Sequence, residues 1–259
     1  MGESEKILVG DVSLRIRRKG TGERLLFLHG AGGFPGWLPF FTALSEQFEV
    51  IAPDHPGFGA SDDPAWIRNV SDLALFYLDL LEGSGWDGVH LMGHSLGGWI
   101  AAEIAIRNVS RIKSLTLIAP AGIRVKGLPA GDNFLWAADE LVRNLYFDQN
   151  IAELLLSQPL NEEQMDLALR NRYAGAKYGW QPRWFDPNLE KWLHRAKVPA
   201  HIIWGDSDKL FPAAYGAAWR DRLPNARLTV MESCGHAPHV EKPAEVSSGV
   251  LEFLKAVPA

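Results

Sequence analysis

Six consecutive residues, Gly93-His94-Ser95-Leu96-Gly97-Gly98, follow a short apolar run and open a stretch of helical period. The apolar run, Val89–Met92, predicts a strand, and the apolar residues of Leu96–Arg107 recur at the spacing of one helix face. In this context the pattern Gly-x-Ser-x-Gly predicts a sharp turn that presents the Ser95 hydroxyl above the end of the strand. Side chains on either flank would collide at so sharp a turn, which explains the two glycines that frame the serine.

Outward from this turn, the chain alternates short apolar runs with longer stretches of helical period. Such alternation is typical of strands and crossover helices around a mostly parallel sheet, and it predicts the α/β class. Ser71 is expected to cap a helix that runs to about Glu82. Besides Val89–Met92, the predicted strands are Leu25–Leu28, Phe48–Ala52, Leu115–Ala119, His201–Trp204 and Arg227–Met231.

The alternation stops between residues 123 and 198, where four helical segments follow one another without a predicted strand. This interruption predicts a helical cap, or lid, at 123–198, inserted into a core made of residues 1–122 and 199–259. At 259 residues the chain is long enough to form one large α/β unit of this kind.

The composition is that of a globular protein, with 47% hydrophobic and 22% charged residues. The formal net charge is -5 and no long Lys/Arg run occurs, which argues against nucleic acid or an anionic membrane as a partner. We therefore expect a small neutral or apolar molecule as the partner. The residues predict no particular oligomeric state.

The number of cysteines and the first residues of the chain indicate the cellular compartment in which the protein is expected. Cys234 is the only cysteine, so no intramolecular disulfide can form and nothing indicates an oxidising environment. The first residues lack the basic and apolar segments of a secretory signal, and no window approaches the roughly 18 apolar residues of a membrane span. The sequence therefore predicts a cytoplasmic protein.

A serine hydroxyl is neutral at pH 7 and needs a nearby base to take its proton as it attacks. His236 is the candidate base, because it lies in a turn-rich loop, Cys234–Glu241, after the last predicted strand. A carboxylate must then hold the imidazole in the right tautomer and balance its charge. Asp206 and Asp208 both follow the strand that ends at Trp204, and Asp208 is preferred of the two.

The spacing of His236 and His239 could also indicate a metal site. No cysteine or further histidine supplies a third ligand at the usual spacing, so no metal is predicted. His239 is instead expected at the edge of a loop or pocket. The serine chemistry implies no cofactor.

Four motifs, spread from Leu28 to Pro243, resemble the α/β-hydrolase superfamily in its capped branch that acts on small molecules. In that family the acid usually stands three residues after the glycine that ends its strand, which from Gly205 implies Asp208. The family's base lies in a Gly-His-x-Pro loop, which implies His236. The resemblance therefore implies an α/β-hydrolase fold, with a mostly parallel sheet flanked by helices, an inserted helical cap and a Ser-Asp-His triad.

The stretch Leu28-His29-Gly30-Ala31-Gly32 resembles the oxyanion loop of the same family. The resemblance implies that the donors are the backbone N–H groups of Ala31 and Leu96, with Gly32 as the alternative to Ala31. Negative charge gathers on the carbonyl oxygen when a serine attacks, and each fixed donor at that oxygen is typically worth about 10²- to 10³-fold in rate.

Five side chains are candidates to line the substrate pocket. Phe34 and Trp37 follow the oxyanion loop, although core packing is the favoured role for both. His94 precedes the serine, and Trp136 and Trp184 belong to the predicted cap. Aromatic residues in such a cap can wall an apolar pocket over the sheet.

The leading functional expectation is hydrolysis of a carboxylic ester of a small, fairly apolar substrate through an acyl-Ser95 intermediate. The first alternative is a carbon–carbon bond hydrolase of the ring-cleavage-product type, which the elbow and the oxyanion loop also resemble. Those enzymes often have Trp directly after the base, where this chain has Ala237. Lactonase and thioesterase activities use the same triad, and a remote alternative is a ligand-binding protein without turnover, because fold alone does not choose the function.

Overall fold

A computed structural model describes residues 3–258 as one eight-stranded sheet flanked by helices. The strands β1 to β8 are, in chain order, Glu3–Val9, Val12–Lys19, Arg24–Leu28, Glu49–Pro53, Val89–His94, Ile112–Ile118, Ala200–Gly205 and Ala226–Met231. Their order across the sheet is β1-β2-β4-β3-β5-β6-β7-β8. The pairs β1/β2 and β2/β4 are antiparallel and the other five are parallel, which confirms the predicted α/β class.

The helices that the structure assigns within residues 3–258 are numbered α1 to α9. In chain order they are Pro39–Ser45, Val70–Gly83, Leu96–Arg107, Ala138–Leu145, Gln149–Ser157, Glu162–Gly179, Ala214–Arg222, Pro238–Glu241 and Pro243–Lys255. The prediction that Ser71 is the N-cap residue of α2 is wrong. Asn69 caps α2 instead, since its side chain accepts a hydrogen bond from the N–H of Asp72, which leaves Ser71 inside the helix.

The sheet divides the apolar core into two parts. On β5 the neighbouring side chains point to opposite faces, so Leu91 packs in the cluster that contains α2 and α3, whereas Met92 packs with α1 and α9. Both side chains are almost fully buried. Parallel strands that are covered on both faces consist of consecutive apolar residues, and for this reason they could be predicted from the sequence.

The hairpin of β1 and β2 at the edge of the sheet was outside the predicted strands. β2 alternates buried Val12, Leu14 and Ile16 with partly exposed residues, and this period of two is a strand signal. β1 is exposed over most of its length and carries charged side chains, so it offers no apolar pattern. Its position follows from pairing with β2.

The segment between β6 and β7, residues 119–199, is called the inserted segment below. It holds α4, α5, α6 and two short 3-10 helices, Leu189–Lys191 and Leu193–Arg195. Its first two helices bury little, because α4 has no buried residue and α5 has only Ala152. The separate cap at 123–198 stays a prediction. Within residues 3–258, no helix is both long enough and apolar enough to cross a membrane.

Candidate active site

Ser95 lies at the turn between β5 and α3, in a backbone conformation that needs support from its surroundings. Its φ of 53° and ψ of -113° fall outside the regions that residues other than glycine favour. A side chain on Gly93 would overlap the backbone of Gly97, and one on Gly97 would overlap the carbonyl of Leu28. Close backbone contacts therefore require both glycines.

The three side chains of the predicted triad come from distant parts of the chain and lie within hydrogen-bonding distance of one another. The Nε2 atom of His236 is 3.0 Å from Ser95 Oγ, and its Nδ1 atom is 2.8 Å from Asp208 Oδ2. A carboxylate can only accept, so Nδ1 carries the hydrogen and Nε2 presents its lone pair to the serine hydroxyl. The exposed fractions are 7% for Ser95, 5% for Asp208 and 3% for His236. In this geometry an imidazole can take the serine proton as the serine attacks.

The two carboxylates after β7 have different partners. Asp208 Oδ1 accepts hydrogen bonds from the backbone N–H groups of Leu210 and Phe211 at 2.8 and 2.9 Å, which leaves Oδ2 for the imidazole. Asp206 is exposed and accepts from the Ser207 hydroxyl at 2.7 Å. Only Asp208, of these two, contacts His236.

The glycine loop, residues 29–33 after β3, passes beside Ser95. A Cβ added to Gly30 would lie 3.4 Å from the Cβ of the serine, and Ala31 lines the same pocket. Leu96 is the first residue of α3, and the first N–H groups of a helix have no acceptor within it. The backbone N–H groups of Ala31 and Leu96 thus belong to the two chain segments that flank the serine.

Two buried histidines brace the glycine loop from the core side. The N–H of His55 donates to His29 Nε2 at 3.2 Å, so His29 carries its hydrogen on Nδ1 and donates it to the carbonyl of Gly30 at 2.7 Å. In turn His55 Nε2 donates to the carbonyl of His29 at 2.9 Å, and the Tyr77 hydroxyl donates to His55 Nδ1 at 2.6 Å. Burial lowers the pKa of His29 to about 4 and the pKa of His55 well below its ordinary value, so both stay neutral at pH 7. Each hydrogen bond therefore has one direction, which fixes the loop.

A pocket of about 300 Å³ opens over Ser95. The core supplies Gly32 and the rest of the glycine loop on one side, together with apolar side chains of other core elements. Within residues 3–258, no Asp, Glu, Lys or Arg lines this pocket. The inserted segment closes the other side with Asn133, Leu141, Leu145 and Tyr146.

Among the five side chains predicted to line the pocket, His94 lies on it. Phe34 lies instead in a separate cleft, where the Arg17 guanidinium sits 4.6 Å from its ring centre. Trp37 packs on Phe41, with ring centres 5.7 Å apart. These two aromatic side chains therefore belong to the packing beneath and beside the glycine loop rather than to the pocket wall.

Neither of the two predicted tryptophans of the inserted segment lines the pocket. Trp184 is buried and donates from Nε1 to Asn133 Oδ1 at 2.7 Å, and Asn133 itself lines the pocket. The Trp136 ring covers Gly131, where an added Cβ would lie 2.6 Å from it. Trp184 therefore supports a residue of the pocket wall, whereas the Trp136 ring packs on Gly131, which is outside the pocket lining.

Two further histidines line the pocket next to the triad. His94 Nε2 donates to the backbone carbonyl of His236 at 2.9 Å, and the ring of His239 lies 4.5 Å from that of His94. Burial lowers the pKa of His239 to about 3 and holds the pKa of His94 well below its ordinary value. The pocket thus presents two neutral imidazoles at pH 7. His239, which was expected at the edge of a loop or pocket, is buried and lines the pocket.

A family model described as alpha/beta hydrolase fold matches residues 23–243. The chain belongs to the α/β-hydrolase family. This hydrolase is 29% identical to a 2-hydroxymuconate semialdehyde hydrolase from Pseudomonas sp. (strain CF600), over 96% of this chain and 93% of the relative. It is 30% identical to a 2-hydroxy-6-oxononadienedioate/2-hydroxy-6-oxononatrienedioate hydrolase from Burkholderia vietnamiensis (strain G4), over 93% and 91%. Among solved structures, a membrane phospholipase A described as a bacterial virulence factor matches with a TM-score of 0.81 at 26% identity, over 98% of this chain and 86% of that one.

One carboxylate of the hydrolase ties the loop of His236 to the inserted segment. Glu241 accepts the N–H of Gly235 at 2.7 Å through one oxygen. The N–H of His236 donates to the carbonyl of Leu145 at 2.8 Å. Through its other oxygen Glu241 accepts, at 2.8 and 2.9 Å, from the N–H groups of Phe147 and Asp148.

Sequence analysis left these supporting residues without a role. His29 and His55 carried a signal, because each stands just after a predicted strand, where side chains reach the carboxyl edge of the sheet. Glu241 is the last residue of the loop that contains His236, so its closeness to His236 could be inferred from the order of residues in the chain. Asn171, on α6, accepts from the N–H of Gly59 and donates to the carbonyl of Gly32, and nothing in its sequence context indicated these contacts.

Proposed function

We propose that this hydrolase cleaves a carbonyl compound through an acyl intermediate on Ser95. The observation that carries the proposal is the hydrogen-bonded series of Asp208, His236 and Ser95 at the pocket floor. Ser95 Oγ attacks the carbonyl carbon while His236 Nε2 takes the hydroxyl proton, and Asp208 balances the charge of the imidazolium. The N–H groups of Ala31 and Leu96 stabilise the oxyanion.

The intermediate then collapses in two stages. The bond to the leaving group breaks, the leaving atom keeps the electron pair, and His236 returns the proton to it. Water next attacks the acyl carbon of Ser95 while His236 takes one of its protons, and the acid product leaves as the serine hydroxyl is restored. No cofactor takes part in this scheme.

Hydrolysis of a carbon–carbon bond in a ring-cleavage product is the substrate chemistry that we place first. The two curated relatives above, at 29% and 30% identity, are hydrolases of this type and match nearly the whole chain. In such a reaction the leaving atom is carbon. The 2-hydroxydienoate first tautomerises to its keto form, in which the enol proton has moved to the carbon of the bond that breaks, and the released electron pair is then delocalised through the alkene to the keto oxygen. This order reverses the expectation from the sequence, which put ester hydrolysis first.

Ester hydrolysis is the second candidate, and the pocket wall favours it. A dienoate carries a carboxylate, and a buried carboxylate needs a cationic or strongly donating partner. Within residues 3–258 no lysine or arginine lines the pocket, and the imidazoles of His94 and His239 are neutral. An uncharged acyl chain meets no such requirement.

We also propose that residues 123–198 act as a cap that shapes the substrate pocket. Four residues of this range line the pocket: Asn133, Leu141, Leu145 and Tyr146. Since they stand across the pocket from the glycine loop, they would set the length and shape of the group that fits beside Ser95.

The order of the two chemistries is tested by comparing kcat/KM for a dienoate ring-cleavage product with kcat/KM for p-nitrophenyl esters of increasing chain length. We expect the dienoate to be turned over faster. Faster turnover of an ester reverses the order of the candidates. Absence of turnover with both, together with no labelling by a fluorophosphonate, overturns the hydrolase proposal in favour of a binding protein.

The control is Ser95→Ala. We expect it to abolish fluorophosphonate labelling and to reduce turnover of the preferred substrate by roughly 10⁴- to 10⁶-fold, the range seen when the nucleophile of a triad is removed. Turnover that survives in this variant would show that another group performs the attack.

A further inference from the structure

One face of α6 lies directly on the loops at the carboxyl ends of β3 and β4. Asn171, Ala174, Gly175 and Tyr178 are buried at the spacing of a single helix face. Tyr178 donates from its hydroxyl to the carbonyl of Pro56 at 3.0 Å, which attaches this face to the loop after β4. The same face reaches the glycine loop through Asn171 and Gly175.

The Asn171 amide joins two loops. The N–H of Gly59 donates to Asn171 Oδ1 at 3.0 Å, and Asn171 Nδ2 donates to the carbonyl of Gly32 at 3.1 Å. A backbone N–H can only donate and a carbonyl can only accept, so the orientation of the amide is fixed by its partners. The side chain is 9% exposed and covers Gly33, where a Cβ would overlap the amide.

Gly175, one turn further along α6, lets the helix approach the loop backbone. A Cβ added there would lie 3.2 Å from the carbonyl oxygen of Ala31 and 3.4 Å from its Cβ. The first distance is tighter than ordinary van der Waals contact, so an alanine at 175 would press on Ala31 by a few tenths of an ångström. Ala31 is the residue whose N–H is the proposed oxyanion donor.

We propose that Asn171 and Gly175 are positioning residues for the glycine loop, so that the inserted segment completes an oxyanion hole whose donors belong to the core. The inference rests on the proposed function. His29 braces the loop from the core side through the Gly30 carbonyl, and Asn171 holds it from the other side through the Gly32 carbonyl. Ala31 stands between the two held carbonyls, and its N–H direction depends on both.

Asn171→Asp is the sharpest variant, because it keeps the shape of the side chain and the acceptor for Gly59 but loses the Nδ2 donor. A carboxylate oxygen would then face the carbonyl of Gly32 and push the loop away. A displacement of about 1 Å at a site of this kind can cost about 10²-fold in rate, and we expect kcat/KM to fall about 10- to 100-fold.

The readout that separates positioning from folding is a pair of inhibitors with the same acyl chain. A trifluoromethyl ketone forms a tetrahedral adduct with the serine and places an oxyanion in the hole, whereas the matching methyl ketone binds without that charge. For Asn171→Asp we expect the Ki of the trifluoromethyl ketone to rise by the same factor by which kcat/KM falls. The Ki of the methyl ketone should stay within about threefold, since ground-state binding is unchanged.

Gly175→Ala tests the other contact and remains informative if Asn171→Asp folds poorly. Alanine is favoured over glycine within a helix by about 1 kcal/mol, so a loss of rate without a lower Tm separates loop position from stability. We expect the trifluoromethyl ketone to bind less tightly in this variant, with the methyl ketone unaffected.

The matched control on the same helix is Arg170→Ala. Arg170 donates to the carbonyls of Gly57 and Ser61 at 3.2 and 2.5 Å, which attaches α6 to the core without touching the glycine loop. We expect this control to lower Tm while the ratio of the two Ki values stays unchanged.

The outcomes are distinguishable. If the wild-type protein turns over no substrate and takes no fluorophosphonate label, the proposed function fails and the inference fails with it. The inference alone is overturned if the wild-type protein is active and if Asn171→Asp and Gly175→Ala have the same ratio of trifluoromethyl ketone Ki to methyl ketone Ki as the wild type. A shift of the ratio in Arg170→Ala equal to that in Asn171→Asp would also overturn it, because any loosening of α6 would then be sufficient.

Discussion

The loops at the carboxyl edge of the sheet and the inserted segment that covers them are held in different ways. Ser95, Asp208 and His236 are almost fully buried, and each follows a strand end that the sheet fixes. In the inserted segment, by contrast, α4 buries no residue and the first half of α6, residues 162–170, is exposed throughout. The triad residues therefore lie in the buried part of the molecule, whereas part of the pocket wall comes from a segment with fewer buried side chains.

Several hydrogen bonds join the two regions, and two of them reach the loops around Ser95. Asn171 of the inserted segment bonds the glycine loop, and the Leu145 carbonyl accepts from the N–H of His236. Both contacts involve backbone groups of the core that flank Ser95. A segment with few buried side chains thus contacts both the glycine loop and the loop of His236 directly.

The largest effect is expected in the core, at the carboxylate that faces the imidazole. Asp208→Asn should reduce kcat on the preferred substrate by about 10⁴-fold, because an amide cannot hold the imidazole in the tautomer that accepts the serine proton. Asp206→Asn is the matched control, with its carboxylate exposed and bonded to Ser207. We expect it to change kcat by less than about threefold. A larger loss for Asp206→Asn would reassign the acid.

The next effect concerns pH and distinguishes the core from the inserted segment. Burial lowers the pKa of His29 to about 4 and the pKa values of His201 and His239 to about 3. In the unfolded chain each would titrate near 6.5, so between about pH 6.5 and 4 the unfolded state binds more protons and stability falls as pH falls. Each histidine contributes up to about 1.4 kcal/mol per pH unit in that window.

Urea unfolding at pH 7, 6 and 5 measures the slope of the free energy of unfolding against pH. His201→Gln should flatten it by up to about 1.4 kcal/mol per pH unit, since one proton fewer is taken up on unfolding. The slope reports on the core, because His29, His201 and His239 all lie outside the inserted segment. A free energy of unfolding that is equal at pH 7 and pH 5 contradicts the assignment of buried neutral histidines.

The smallest effect is expected on the exposed half of α6. Leu169 is 62% exposed, so Leu169→Glu should change the free energy of unfolding by no more than about 0.5 kcal/mol and leave kcat/KM unchanged. The measurement is urea unfolding beside the activity assay. A loss of several kcal/mol, as for a buried leucine, would show that this half of the segment packs against something in solution.

Sequence reasoning worked best where local rules decide. The predicted strands Leu25–Leu28 and Arg227–Met231 correspond closely to β3 and β8. Leu25–Leu28 of β3 is buried on both faces, so each of these positions needs an apolar residue. The predicted helix at Leu96–Arg107 matches α3. β1 was missed because its side chains face solvent, and its strand conformation depends on a partner elsewhere in the chain.

The triad residues were predicted together because each lies in a short turn after a strand, and turns of this kind have their own residue signals. The pocket aromatics were not predictable in the same way. An aromatic side chain fits equally well behind a wall or on it, and Trp184 lies behind it because Asn133 stands between its ring and the pocket.

By itself, the sequence determined the α/β class, the position of the elbow at Ser95 and the order of serine, carboxylate and imidazole along the chain, since these depend on neighbours within a few residues. Only the tertiary structure decided that Asp208 rather than Asp206 faces His236, and that Asn171 bonds a carbonyl 139 residues away. Such contacts depend on how helices and loops pack in three dimensions, and packing joins residues whose spacing along the chain carries no signal.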